Sequence, residues 1–143
     1  MATKQFVTFR IEGHLMGIDV RHVREVNRSL DVTPVPLSPD YVLGLVNLRG
    51  QILTIFDLRV RLGLESRAID AETHNIVLKL DDVGLLVDAI SEVIMVDENE
   101  IEPPPANIGD IEAYFINGVV KLEQELLIFL SARKLINYRQ SEG

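Results

Sequence analysis

The sequence predicts a mainly β protein, built from two related β-subdomains with short helices and a shared apolar seam. Three observations carry this. Short apolar runs recur along the chain, bounded by Gly, Pro, Asp and Asn. Stretches with helical spacing are few and short. Two segments recur in the same order: "GIDVRHVREV" (17–26) matches "GLLVDAISEV" (84–93), and "ILTIFDLRVRL" (52–62) resembles "ELLIFLSARKLI" (125–136). A repeat of this kind marks units that stack to bury a common core. A barrel of about five short strands closes its own edges, so each unit is expected to be one. The units are drawn from residues 6–73 and 74–137 of a single domain spanning 1–143, with strand exchange between them left open.

In chain order, "FVTFRIEGHLMGID" alternates around a Glu12–Gly13 turn and reads as a hairpin. Asp19 is placed to cap a short helix over "VRHVREV", with Val20 in the core and Val23 partly exposed. Three valines in seven residues make that helix weak. "TPVPLSPDY" is a proline-punctuated connector. Ser38 and Pro39 are expected to start one helical turn that Gly44 ends. The strands "LVNLR" and "ILTIF" follow, joined at Gly50–Gln51. Asp57 then caps "LRVRL", Gly63 stops it, and 65–73 is a polar loop.

The second half opens with the strand "HNIVLKL" and an Asp81–Asp82 turn. A single long apolar element, "GLLVDAISEVIMV", follows. After the connector "DENEIEPPPANIGDIEA" come the strands "YFINGVVKL" and "ELLIFLS", then a terminal helix "ARKLINY". Many short strands and few helices argue for barrels or sandwiches over a parallel α/β sheet.

Composition narrows the function. Of 143 residues, 49 are Val, Ile or Leu, too many for a solvating disordered chain. Cys is absent, which excludes disulfides, thiolate metal sites and a catalytic cysteine. No run is long and apolar enough for a spanning helix and no signal peptide is visible, so a cytoplasmic protein without membrane insertion is expected. Residues 1–73 carry nine basic and nine acidic residues, whereas 74–143 carry five and thirteen. The net charge of −8 therefore lies in the second half and argues against nucleic acid as a partner.

His14, His22 and His74 have no metal-ligand spacing, and no P-loop, GxSxG or GxGxxG occurs. No catalytic residue, metal or cofactor is expected. One enzyme-like alternative is a receiver domain phosphorylated on Asp57. It would need an N-terminal acidic pair to hold Mg²⁺, where the chain offers only Glu12, and a βαβ rhythm, which is missing. A small β-barrel binding some other target is a third reading.

The stretch "GLVNLRGQILTIFDLRVRLGL" resembles the signature of CheW-type chemotaxis coupling proteins: G-x-x-N-L-R-G, an apolar strand, then D-L-R. "GIDVRHVREV" resembles that family's first helix. "VGLLVDAISEV" and "YFINGVVKLEQELLIFLSARKLIN" resemble its second half, so the likeness covers residues 6 to 137. It implies two SH3-like five-stranded β-barrels and a non-enzymatic adaptor. Such an adaptor couples the cytoplasmic tip of methyl-accepting chemoreceptors to the regulatory domain of a CheA-type histidine kinase. It further implies a free-standing coupling protein, monomeric in isolation, of a flagellar or a non-flagellar chemosensory pathway.

Carried over residue by residue, the resemblance points to Val23, Glu25, Val26 and Arg49 for receptor binding, and to Gly44 and Gly50 near kinase-binding surfaces. For Arg49 two readings stand: an ion pair with Glu25 bracing helix against strand, or direct contact with the receptor. The loop "EPPPANIG", with Glu102 and Asn107, departs from the family's apolar ring contact with the kinase domain.

Overall fold

A computed structural model describes residues 2–28, 31–106 and 108–137. The first half contributes strands β1 (Thr3–Ile11), β2 (His14–Asp19), β3 (Val23–Asn27), β4 (Val42–Leu48) and β5 (Gln51–Asp57), then helix α1 (Leu58–Arg61). The second half contributes β6 (His74–Leu78), β7 (Val83–Val87), β8 (Ala89–Asp97), β9 (Ile101–Glu102), β10 (Ile116–Lys121) and β11 (Leu126–Leu130), then helix α2 (Ala132–Ile136).

The strands form two sheets, ordered β8-β1-β2-β11-β10-β9 and β3-β6-β7-β5-β4. The mainly β class with two sheets is therefore the observed one. Each sheet draws strands from both halves of the chain, and the two orders correspond. If β1, β2 and β3 are matched to β6, β7 and β8, and β4 and β5 to β10 and β11, one order becomes the other apart from the short β9. The single parallel pair of each sheet, β2 with β11 and β7 with β5, falls at the same place. The sequence repeat is thus a repeat of strand roles.

The inner strands β7 and β11 are buried on both faces, which explains why "VGLLV" and "LLIFL" read as unbroken apolar runs. Along β11, Ile128 and Leu130 join a core shared by the two sheets, while Leu127 and Phe129 join a private core with Phe6, Leu15, Val96 and Val120. Along β6, Ile76 and Leu78 face the shared core, and Val77 packs with Val46, Leu48, Leu53 and Ile55. Phe9, Met16, Phe56, Leu85 and Leu135 fill the shared seam from both sheets and from α2. At about 25 cal/mol per Å² of apolar surface, seam burial is the main attraction holding the sheets together.

The local chemistry follows side-chain type. Asp19, Asp57 and Ser131 each begin a helical turn, accepting backbone N–H bonds from Arg21, Arg59 and Lys134. Each cap is worth about 1 kcal/mol. Glu12–Gly13 and Arg49–Gly50 are two-residue hairpin turns with φ of 53° and 82°, and 50° and 87°. Positive φ at both positions matches the strand twist.

Four expectations need correction. Residues 20–26 are not a helix: one 3₁₀ turn covers Val20–His22, and β3 follows. The valine spacing fits a helix, yet β-branched residues favour strands, and the edge of β6 was available to pair. No helical turn precedes Gly44; a single turn bonds Val42 N–H to the Pro39 carbonyl. Gly44 lies within β4, where an added Cβ would stand 2.3 Å from the Thr33 carbonyl oxygen. The hairpin turns at Arg49–Gly50, one residue before the expected place. Finally, "GLLVDAISEVIMV" is two strands, broken at Asp88, which belong to different sheets. The last residue of the predicted terminal helix, Tyr138, lies outside the described residues, as does Asn107.

Candidate functional site

The stretch Asn47–Arg61 builds two arginine–carboxylate sites from one hairpin and one helical turn. At the hairpin tip, Asn47 Oδ1 accepts the Gly50 N–H at 2.9 Å, which tightens the turn. Leu48 is buried in the private core and anchors it. Arg49 is thereby held in the left-handed region, at φ 50°, with its side chain exposed. That conformation costs an L-residue roughly 1–2 kcal/mol. Gly50 accepts its φ of 87° without strain.

The Arg49 guanidinium donates to Glu25 Oε1 on β3. β3 and β4 are opposite edges of the same sheet, so this pair reaches from one edge to the other across a curled sheet. The connector after β3 helps the curl: Thr33 exchanges two 2.8 Å backbone bonds with Leu45 and covers part of the β4 edge. Asn27 also donates to Glu25, at 3.0 Å. The Asn27 bond first, and then Arg49, hold the Glu25 carboxyl below its usual range, against the opposing effect of desolvation.

Around this pair the structure places the other predicted residues. Val23 is half-buried and packs on the shared seam beside Val20, which is half-buried rather than fully core. Val26 is 37% exposed. Ile90 on β8 packs on the same seam, and beyond it Val93 and Met95 are exposed. Val26 and Val93 are equivalent positions in the sequence repeat. Gly50 adjoins the Arg49–Glu25 pair, and Gly44 sits further along β4 under Thr33. Glu102 is in β9, paired with Val119 and 3.8 Å from the Lys121 ammonium.

Sequence reasoning missed Arg59 and Arg61. Arg59 follows the Asp57 cap and is buried between the sheets. It grips Asp88 with two 2.8 Å bonds and also pairs with Glu12 at 2.5 Å. Asp88 in turn accepts the Glu12 N–H at 2.9 Å. Three segments meet there: the β1–β2 turn, α1 and the β7–β8 break. Burial pushes the Asp88 carboxyl up, but the bonds from Arg59 and Glu12 outweigh it and hold it below the ordinary carboxylate range. Arg61 donates to the carbonyls of Leu135 at 2.7 Å and Asn137 at 2.9 Å, closing the end of α2. Its guanidinium lies over the rings of Tyr41 and Phe115, at the wall of a cleft of about 750 Å³. The available signal was D-L-R-V-R itself, charged residues placed immediately after an apolar strand.

Asp57 is committed to structure. One oxygen caps α1, and the other accepts from the Ser66 hydroxyl at 2.8 Å. Its sheet is not the doubly wound parallel kind that a receiver requires.

Fold and site together define a binding module: two interlocked β units presenting an arginine-tipped hairpin beside an apolar rim. The family model of the CheW-like domain matches residues 5–140. The chemotaxis protein CheW of Treponema pallidum is 34% identical over 142 residues, covering 95% of this chain and 84% of that protein. CheW of Rhizobium meliloti is 35% identical over 143 residues, covering 98% and 92%. The crystal structure of the scaffolding protein TtCheW from Thermoanaerobacter tengcongensis matches with a TM-score of 0.85 at 34% identity, over 96% of this chain and 90% of that one. The chain belongs to the CheW-like family.

Proposed function

We propose that this protein is a cytoplasmic chemotaxis adaptor that works by binding alone, joining chemoreceptor tips to the regulatory domain of a CheA-type histidine kinase. Its place in the CheW-like family supports the adaptor role. Among the described residues, no helix is long and apolar enough to cross a membrane.

The receptor surface in this reading comprises Arg49, Glu25, Val23 and Val26. The observation that carries it is the backbone at Arg49. A long cationic side chain occupies a strained turn position that Asn or Gly fills at lower cost. Its ion pair with Glu25 is too exposed to offset that strain. Strain kept without a matching gain in stability marks a position held for recognition. Glu25 then aims the guanidinium, so brace and contact are one device. Val23 and Val26 supply apolar area for a helical partner lying along the seam. The kinase domain takes the part of the hairpin around Gly44 and Gly50. Receptor state shifts kinase activity through the geometry of the shared complex.

The deciding experiment is a pull-down of the full chain against a CheA regulatory domain and, separately, a receptor-tip hairpin. Both should bind at about micromolar concentration, in keeping with small signalling interfaces. Binding of neither would end the adaptor reading and leave the fold assignment intact.

A further inference from the structure

A small pocket beside the end of β2 gathers positive charge on this acidic chain. Lys4 of β1, Arg21 and His22 of the turn after β2, Asn117 of β10 and Arg133 of α2 all line it. Asp19 is the one carboxylate among the described residues that line it. Arg21 grips Asp19 through Nε at 3.1 Å and Nη2 at 2.8 Å, and the Lys4 ammonium lies 3.8 Å from the same carboxylate. One negative charge is therefore shared by two cations. Arg133 is exposed and makes no ion pair with a described residue. Glu98, on the adjoining cleft, acts on Arg21 from the other side. Among the described residues, three fixed cations face two carboxylates, and the surplus sits where the guanidinium of Arg133 opens to solvent.

That surplus runs against the net charge of −8, so it is not a by-product of a basic surface. Fixed charge of one sign in a concave site attracts its opposite. Size narrows the occupant. The pocket holds about 230 Å³, below the range of roughly 300–1,000 Å³ typical of small-molecule sites. One side chain fits it. Phe129, stacked against Phe6 with ring centroids 4.8 Å apart, gives the pocket an apolar wall for a methylene stem. Asn117 is exposed beside it and offers an amide donor.

We propose that this pocket is a docking site for an acidic side chain, Asp or Glu, carried by a protein partner. The bonds formed are charge-assisted, from Arg133 and Lys4 to the incoming carboxylate. The site belongs to the β8-β1-β2-β11-β10-β9 sheet, whereas the Arg49–Glu25 pair belongs to the other. It goes beyond the receptor and kinase reading and stands or falls separately from it.

The test titrates the full, ¹⁵N-labelled chain with three probes at low salt. These are a blocked seven-residue peptide alternating glycine with glutamate, its glutamine counterpart, and sodium phosphate. The glutamate peptide should shift the amides of Arg21, His22, Asn117 and Arg133 saturably, and the glutamine peptide should not. Arg133→Glu, at an exposed position that leaves distant amides unmoved, should weaken binding about tenfold or more, equivalent to about 1.4 kcal/mol. Equal shifts from the glutamine peptide, or unchanged affinity in Arg133→Glu, would overturn the proposal. So would phosphate binding as tightly as the peptide, which would make the pocket a free-anion site instead.

Discussion

Arg49 and Arg59 stand on the same hairpin-and-helix unit and each meets a carboxylate, Glu25 for one and Asp88 for the other. Their surroundings differ sharply. The side chain of Arg49 is 70% exposed and that of Arg59 is 8% exposed. Arg49 makes a single-pronged contact across the edges of one sheet. Arg59 makes a two-pronged grip, adds Glu12, and ties together segments belonging to both sheets. Water screens the first pair, so it contributes little to folding. The second pair is shielded, and breaking one side of it strands the other charge. The same residue type thus serves recognition at one end of the signature and architecture at the other. Depth of burial separates the two roles.

The largest effect is expected at the buried pair. Arg59→Leu should destabilise the fold by up to about 3–5 kcal/mol, read from the urea midpoint, because the buried Asp88 carboxylate loses its two-pronged partner and keeps only Arg67, 3.7 Å away. A cost below about 1 kcal/mol would show that Arg59 is screened like Arg49 and erase the contrast.

Acid should reveal the same asymmetry. The folded-state carboxyl of Asp88 titrates below its unfolded value, near 3.9. Its contribution is therefore complete above that pH and is lost as pH falls through the folded value. Asp88→Asn should lower stability at neutral pH yet flatten the decline below about pH 4, where wild type and variant converge. A parallel decline in both proteins would remove Asp88 as the cause.

At the exposed site, stability and binding should move in opposite directions. Arg49→Asn places a residue at ease with positive φ in the turn and should raise stability by up to about 1 kcal/mol. Receptor-tip binding should fall in the same variant. If binding is retained, the hairpin tip is only a turn. The smallest effect belongs to the Arg49→Ala and Glu25→Ala double-mutant cycle. Its coupling in thermal unfolding should be near the detection limit and vanish in about 1 M salt. A strong, salt-resistant coupling would make this pair a structural brace like the other.

Much of the fold was legible in the residues. Alternating and unbroken apolar runs announced strands, because their side chains line one face or two. Asp19 and Asp57 were readable caps, since short polar side chains satisfy the first free N–H groups. N-L-R-G was readable as a special feature, and the resemblance that it carries pairs Arg49 with Glu25, which its guanidinium meets in the fold. Other features were not legible. Val20, Val23 and Val26 satisfy helical spacing, and only the open edge of β6 made strand the better state. Glu12 and Asp88 lie far from Arg59 in sequence, and no local pattern couples them.

The residues alone announced most of the strands, the caps at Asp19 and Asp57, and a plan repeated in two halves. Those properties depend on neighbours a few residues apart. Tertiary structure alone decided which strands share a sheet, that the chain changes sheets at Asp88, and which arginine is buried. Those outcomes depend on which surfaces meet across the seam, and burial there sets how strongly a charge is felt.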